Sequence, residues 1–222
     1  MLFRSDARVL DAAGAPTPSG RLRSFALQTA NGPTTVPAAL LRTALGLRST
    51  WVSIGVLRLD RPRGPVVFGS TYRLIGIARG LPAPMLSSSL DGAAWSLLGA
   101  LERDGSGGAS FVVKPAWTTR YRIDVKGASS PTLLVQVSPR VRLVQPAEPG
   151  ALAGTVRPRL TGVVVTIERR EASAWVPVAE AIVDETGAFR VELTLVPGSY
   201  RARIPATPGL AAGVAPVLTV VG

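Results

Sequence analysis

Short runs of alternating apolar and polar residues make up most of this chain, and glycine or proline separates one run from the next. In "GRLRSFALQT" at 20–29, for example, the apolar residues Leu22, Phe25 and Leu27 are set among polar neighbours. Short runs of mixed polarity with turn residues at both ends are typical of half-buried β-strands. The sequence therefore predicts a mainly β protein built from many short strands.

Two long segments of the chain carry a regular succession of predicted strands. Turn signals such as "RPRGP", "RGLPAP", "DGSGG" and "KGASSP" divide the first segment, and the proline-rich stretch "QPAEPGALAG" is typical of a linker between the two. The strands predicted in the first segment are 52–59, 65–68, 71–78, 85–88, 95–101, 109–114, 119–126 and 132–144. Those predicted in the second segment are 152–157, 162–169, 175–183, 188–195, 199–204 and 216–221.

The two segments resemble each other at a fixed spacing. Three kinds of anchor recur about 79 residues apart, which indicates a tandem repeat too long for a solenoid unit. The anchors are the tryptophans Trp95 and Trp175, the phenylalanines Phe111 and Phe189, and the Tyr-Arg pairs that begin at Tyr121 and Tyr200. A recurring tryptophan is expected to cover the core of a sandwich, and the two tyrosines are expected at tyrosine-corner positions.

Only one short helix is predicted, and it precedes the repeats. In "PAALLRTAL" at 37–45, Pro37 suits the first helical position, and Gly46 suits a left-handed stop. The residues expected on its apolar face are Leu40, Leu41, Ala44 and Leu45. A strand over 49–59 is expected to follow.

These elements predict a mainly β fold with two tandem immunoglobulin-like or fibronectin-like sandwiches after a small α+β fragment. The predicted domains are the fragment at 1–54, a first sandwich at 55–146 and a second sandwich at 147–222. With "GVVVTIERR" followed by "VDETGAFRVELTLVPGSYRARI", the second sandwich also resembles the carboxypeptidase-regulatory type.

Composition excludes several kinds of chemistry. The chain has no cysteine and no histidine, so it has no disulfide, no Cys/His metal site, no Ser-His-Asp triad and no Cys-His nucleophile. We therefore expect no metal and no cofactor. The turns at 101–108 and 183–187 carry acidic residues, which allows calcium, but their spacing favours hairpin turns instead.

The net charge of +11 comes almost entirely from arginine. One interpretation is attraction to a polyanion, such as an anionic wall polymer, a membrane surface or a nucleic acid. The other is an arginine-rich composition spread over exposed strand positions. There is no run of five basic residues and no aromatic-basic RNA motif, so nucleic acid is not the expected partner. No apolar run is long enough for a membrane span, and the first residues lack a signal-peptide core.

The stretch "ALLRTALGLRSTWVSIG" resembles the C-terminal end of the SpoIID/LytB family, and the resemblance covers roughly residues 1–54. The shared pattern is a helix with an arginine, then Leu-Gly-Leu-Arg-Ser-Thr and an aromatic residue. It falls on Arg42, Leu45, Gly46, Leu47, Arg48, Ser49, Thr50 and Trp51. Family members often carry phenylalanine where this chain has Trp51.

The resemblance implies a setting in peptidoglycan remodelling. Family members cleave glycan strands or are described as amidase enhancers, and some strip the septal wall in sporulation. The family's catalytic glutamate segment and its Gly-His-Gly stretch have no counterpart in this chain, so no catalytic residue is carried over. The expectation is a non-catalytic part of a longer exported protein at the cell wall; without the resemblance, a cytosolic protein would fit the missing signal sequence equally well.

Four residues are candidates for contact with a glycan or a protein partner. Arg42, Arg48 and Ser49 could line a glycan groove, or they could form a helix-to-strand joint. Trp117 lies in a predicted loop between Lys114 and Arg120 and could stack on a sugar ring or cap a core.

Three functions are considered. The first is a non-catalytic C-terminal part of a SpoIID/LytB-type protein, with the sandwiches acting as spacers or as modules that bind peptidoglycan, an anionic wall polymer or a protein. The second is a stand-alone adhesion or assembly module that uses exposed sheet edges. The third is an active peptidoglycan lytic enzyme.

Overall fold

The computed structural model describes residues 9–50, 55–148 and 150–221. These residues form two compact units. The first unit contains the described residues up to Asp60, together with Arg73–Val112 and Tyr121–Leu133. The second contains Arg61–Tyr72, Val113–Arg120 and the described residues from Leu134 onward.

The described residues contain twenty-two strands and one helix. The elements up to the first repeat are β1 (Val9–Pro16), β2 (Leu22–Thr29), β3 (Gly32–Pro37) and α1 (Ala38–Ala44). The next are β4 (Val56–Leu59), β5 (Val66–Val67), β6 (Tyr72–Arg79), β7 (Met85–Ser89), β8 (Ser96–Ala100), β9 (Glu102–Arg103), β10 (Gly108–Val113), β11 (Thr119–Val125), β12 (Ala128–Ser129), β13 (Leu133–Val135) and β14 (Val137–Ser138). The last are β15 (Arg140–Val144), β16 (Ala151–Arg157), β17 (Val164–Glu171), β18 (Ala174–Ile182), β19 (Ala188–Glu192), β20 (Gly198–Ile204), β21 (Gly213–Val214) and β22 (Leu218–Val220).

In the first unit, the N-terminal residues form an antiparallel sheet in the order β1-β2-β3. Phe25 lies on the central strand opposite Gly14 and Val36, and its side chain is buried. Gly32 closes the β2–β3 hairpin with a φ of 110°. Strands β1 and β3 were not predicted from the sequence.

The helix is close to its predicted position, but its predicted apolar face is wrong. It spans Ala38–Ala44, and Pro37 is its N-cap instead of its first residue. Only Ala38 among its residues is buried, whereas Leu40 is 43% exposed and Leu45 is 62% exposed. Only one edge of this short helix packs on the sheet, so Leu40 and Ala44 stay exposed and Leu41 is half-buried. The predicted strand over 49–59 is observed from Val56, and residues 51–54 lie outside the described part of the chain.

The first repeat consists mainly of two sheets. One has the order β4-β6-β10-β9, and the other has the order β12-β11-β7-β8, with β13 also paired to β11. Leu74 on β6, Leu86 on β7 and Ile123 on β11 are fully buried. Strands β6 and β11 alternate buried positions with more exposed ones, as the sequence pattern predicted.

The second repeat lies in the second unit and has the same organisation. One sheet has the order β15-β16-β19, and the other has the order β18-β17-β20-β21, with β22 also on β20. Strand β19 returns to β16 after two strands of the opposite sheet, which is a Greek-key connection. The buried core contains side chains from both sheets, among them Val141, Leu152, Ile167 and Ile204.

The shared strand order confirms the fold class expected from the sequence, which is mainly β with two immunoglobulin-like sandwiches in tandem. Corresponding strands begin about 79 residues apart, as with β11 at Thr119 and β20 at Gly198. The tyrosine corner is also confirmed in the second repeat, where the Tyr200 hydroxyl donates to the Val196 carbonyl at 2.8 Å.

The predicted strand over 132–144 is three strands. Val137 and Ser138 of β14 pair in parallel with Val66 and Val67 of β5. Pro139 has no N–H to donate, and from Arg140 the chain enters the sheet of the second repeat as β15. The predicted domain boundaries at 54/55 and 146/147 stay predictions.

Candidate functional site

The first three candidate residues lie at the C-terminal end of α1. Arg42 is in the last turn of the helix, and Arg48 and Ser49 follow its cap. The Leu47 N–H donates to the Arg42 carbonyl at 2.9 Å, and the Gly46 N–H donates to the Thr43 carbonyl at 3.3 Å. With Gly46 at a φ of 62°, these two bonds make a Schellman motif, which confirms the predicted left-handed stop.

The segment after this motif lies beside the start of β2. The Leu22 N–H donates to the Thr50 carbonyl at 3.0 Å, so the segment 48–50 runs next to Arg21 and Arg23. Arg21, Arg23, Arg42 and Arg48 are all exposed. None of them makes an ion pair within the part of the chain that the structure describes.

Trp117 belongs to the second unit, so the candidate residues do not form a single described site. Its side chain is 41% exposed. A Cβ added at Gly209 would lie 3.2 Å from the Trp117 Cε3, so the ring packs directly on this glycine. The Thr118 N–H donates to the Gly209 carbonyl at 2.8 Å, and the Thr119 hydroxyl donates to the Trp117 carbonyl at 2.6 Å. The ring is therefore held on one side by backbone and is partly open on the other.

The recurring tryptophans do not cover the cores, which corrects the sequence interpretation. Trp95 is half-buried, and the Arg122 guanidinium lies 4.0 Å from the centre of its ring. In the second repeat, the Arg201 guanidinium lies 4.3 Å from the centre of the Trp175 ring. Each arginine follows the buried tyrosine of its strand, so it points to the outer face of the sheet, and the tryptophan packs there with it.

Each stacked arginine also contacts a carboxylate. The Arg122 Nε lies 2.8 Å from Asp124 Oδ1, and the Arg201 Nε lies 2.5 Å from Glu168 Oε2. Burial acts to raise the pKa of Asp124, but hydrogen bonds from Ser129, Ser87 and Arg122 outweigh it, so the pKa is lowered. Both repeats thus carry a tryptophan–arginine–carboxylate cluster, in which the arginine charge is already matched.

Sequence reasoning missed these clusters. The available signal was the arginine that directly follows each tyrosine anchor, at the same spacing as the two tryptophans. Since the tyrosine faces the core, the next residue must face outward.

The acidic turns form hairpins, as the sequence favoured. The Asp104 Oδ1 accepts from the Ser106 hydroxyl at 2.7 Å and from the backbone N–H groups of Ser106 and Gly108. Asp184 makes the same three bonds with Thr186 and Ala188. The hydroxyl of Ser106 contributes most to the lowered pKa of Asp104, and that of Thr186 contributes most to the lowered pKa of Asp184.

In the described residues, no group of three or more acidic side chains is placed to hold a metal ion. No helix in this part of the chain has the length and apolar character needed to cross a membrane.

Neither a known protein family nor a curated protein matches this sequence. Among solved structures, the chain is similar to a chimeric titin Z1Z2-Z1Z2 tandem with 16% identity and a TM-score of 0.29, over 74% of this chain and 97% of the other. It is also similar to a tetra-tandem repeat in the extending region of a large adhesion protein. That similarity has 12% identity and a TM-score of 0.36, over 89% of this chain and 55% of the other. These similarities are weak, and the fold assignment rests on the strand order.

Proposed function

We propose that this chain is a non-catalytic part of a SpoIID/LytB-type wall-remodelling protein, in which the two sandwiches hold or space the protein at the peptidoglycan. The observation that carries the proposal is the repeated cluster on the outer sheet faces. Arg122 and Arg201 are engaged by tryptophan and carboxylate within their own repeats. Such a self-satisfied polar face suits a rigid spacer better than a catalytic site, which needs unengaged groups directed at a substrate.

The wall setting is supported by the Leu-Gly-Leu-Arg-Ser-Thr joint. Its Schellman motif fixes the backbone around Arg42 and Arg48 and leaves both guanidinium groups exposed. Arginine forms bidentate hydrogen bonds with carboxylates and phosphates, and both groups are abundant in bacterial walls. Trp117 is a second candidate contact, since an exposed ring face can stack on a sugar.

The test is binding of the full chain to isolated peptidoglycan sacculi at rising salt. Electrostatic attraction predicts binding at low ionic strength that weakens steeply between about 0.05 and 0.5 M salt, because exposed charges are screened. Binding that does not change with salt concentration would contradict the electrostatic part of the proposal. Absence of binding at every salt concentration would contradict the wall role. Release of soluble muropeptides by the purified chain would instead favour the lytic enzyme.

One observation favours the adhesion alternative. Strand β8 is at the edge of its sheet, and its residues Leu97 and Leu98 are 63% and 44% exposed. An apolar edge strand can pair with a strand of another molecule. Concentration-dependent dimers in sedimentation velocity, lost on Leu97→Lys and accompanied by no affinity for sacculi, would support this function over the wall spacer.

A further inference from the structure

Helix α1 and the segment that follows it combine exposed apolar and exposed basic side chains. Leu40, Leu45 and Leu47 are 43%, 62% and 36% exposed. Arg42 and Arg48 are their sequence neighbours and are exposed as well. With Arg21 and Arg23, these seven residues are called the helix-end surface below.

The backbone brings these residues together and holds them there. The Schellman motif returns Leu47 to the last turn of α1, beside Arg42, and the Leu22–Thr50 bond brings the segment 48–50 to the arginines of β2. Because the cap is closed by hydrogen bonds, the leucines are exposed by a defined fold and not by fraying of the helix end.

The sequence stretch that contains this surface carries charge of one sign only. No acidic residue occurs between Asp11 and Asp60 in the sequence. Arg58, the remaining arginine of that stretch, lies 3.3 Å from Asp60 and is not part of the surface. The helix-end surface therefore combines four exposed arginines with three exposed leucines, in contrast to Arg122 and Arg201 of the repeats, each of which contacts a carboxylate.

We propose that the helix-end surface docks on an anionic lipid membrane, with the leucines inserted at the headgroup boundary and the arginines bound to lipid phosphates. A soluble polyanion would match the arginines but would leave the leucines in water. A protein partner would need an acidic rim around an apolar centre. A bilayer surface with anionic headgroups matches both features at once. The proposal concerns peripheral binding, and it does not depend on the wall role proposed above.

The experiment is co-sedimentation of the full chain with vesicles of phosphatidylcholine alone or with about one third phosphatidylglycerol. Each arginine near an anionic surface contributes about a fivefold gain in affinity, so the mixed vesicles should bind at least about tenfold better. The variant R21Q/R23Q/R42Q/R48Q should lose most of that gain. The control R61Q/R63Q/R142Q/R203Q removes the same charge from exposed arginines of the second unit and should bind nearly as well as the wild type.

Substitution of the leucines distinguishes membrane binding from binding to soluble anions. L40S/L45S/L47S should weaken vesicle binding about tenfold, because apolar burial at the interface is lost. The control L90S/L97S/I182S changes side chains that are 63%, 63% and 67% exposed elsewhere and should have little effect. Should the triple variant fail to fold, L45S alone, at the most exposed of the three positions, should weaken binding about threefold.

Three outcomes would overturn the proposal. They are no binding to the mixed vesicles, equal binding to neutral and anionic vesicles, and vesicle binding that is unchanged by the leucine substitutions. In the last case, binding to inorganic polyphosphate that is as tight as binding to the mixed vesicles would identify the helix-end surface as a site for soluble polyanions. Sacculus binding, measured separately with the same variants, decides the wall role independently.

Discussion

At the scale of single residues, each repeat contains a glycine that closely approaches the backbone of the neighbouring strand. A Cβ added at Gly76 would lie 2.0 Å from the Arg58 carbonyl oxygen, and one at Gly154 would lie 2.1 Å from that of Arg142. Both glycines are in the strand next to the first strand of their repeat, at corresponding positions. Backbone cannot move aside like a flexible side chain, so these two positions accept only glycine without local rearrangement.

We predict that Gly76→Ala and Gly154→Ala each reduce the free energy of unfolding by about 2–3 kcal/mol, through overpacking against backbone. Gly105→Ala is the matched control, because nothing lies within 4 Å of the Cβ it would add. The control should change stability by less than about 0.5 kcal/mol. Urea unfolding of the three variants measures the difference, and equal losses at all three positions would refute the close approach.

At the scale of elements, two features each occur twice. They are the hairpins closed by an aspartate side chain and the tryptophan–arginine–carboxylate clusters. Asp104 and Asp184 close the turns before β10 and β19 with the same hydrogen bonds. The clusters fix the outer faces of the sheets that contain β11 and β20. Repetition of the same polar device in both sandwiches indicates a structural role for it.

The hairpin aspartates predict a loss of stability in acid. Their pKa values are lowered from the ordinary value of 3.8, because their charged forms accept three hydrogen bonds each. An aspartate whose pKa is lower in the folded state than in the unfolded state stabilises the protein at pH values above the unfolded-state pKa. This contribution is lost as the pH falls through 3.8 and then through the lower folded-state pKa. In D104N/D184N, the decline of the urea midpoint from neutral pH to this acid range should be shallower than in the wild type; parallel curves would contradict the linkage.

The clusters predict a measurable coupling between tryptophan and arginine. In a double-mutant cycle with Trp175→Leu and Arg201→Gln, we expect a coupling energy of about 0.5–2 kcal/mol, as for a partly desolvated cation–π pair. Thermal or urea unfolding supplies the four stabilities. Trp117→Leu with Arg201→Gln is the control cycle. The ring of Trp117 packs on Gly209, so that cycle should be additive; similar coupling in both would refute a direct contact.

At the scale of the whole molecule, the strand before the proline-rich stretch belongs to a sheet of the second sandwich. Strand β15 pairs with β16, and its residues Val141 and Leu143 are buried in the core of that sandwich. The part of "QPAEPGALAG" before Ala151 then lies between two paired strands of one sheet, and its last four residues belong to β16. The fragment that folds as a unit should therefore include residues from Pro139 onward.

We predict that a fragment 139–222 unfolds cooperatively, and that a fragment 147–222 is less stable by about 3 kcal/mol or more. The shorter fragment loses two buried side chains, each worth about 1.5–3 kcal/mol, and leaves an edge of β16 unpaired. Circular dichroism and urea unfolding of both fragments test this. Equal stability of the two would support the domain boundary predicted at 146/147.

The sequence by itself determined the features that depend on local chemistry. Alternating polarity located most strands, Gly46 ended the helix, the aspartates closed the hairpins, and the spacing of Tyr121 and Tyr200 indicated two sandwiches. These are contacts between residues close in the chain, or patterns of period two, so they can be seen without a fold.

The tertiary structure alone decided which face of each element is covered. Alternation along a strand shows which residues share a face, but it does not show which face is turned to the core. Trp95 and Trp175 were therefore assigned to the core, whereas they lie outside it. The same holds for α1, where one edge packs on the sheet and Leu45 stays exposed. The close approaches at Gly76 and Gly154, and the entry of β15 into the second sandwich, depend on strands that are distant in sequence or pair across a linker. Such pairing is set by the packing of the whole sandwich, which no local pattern contains.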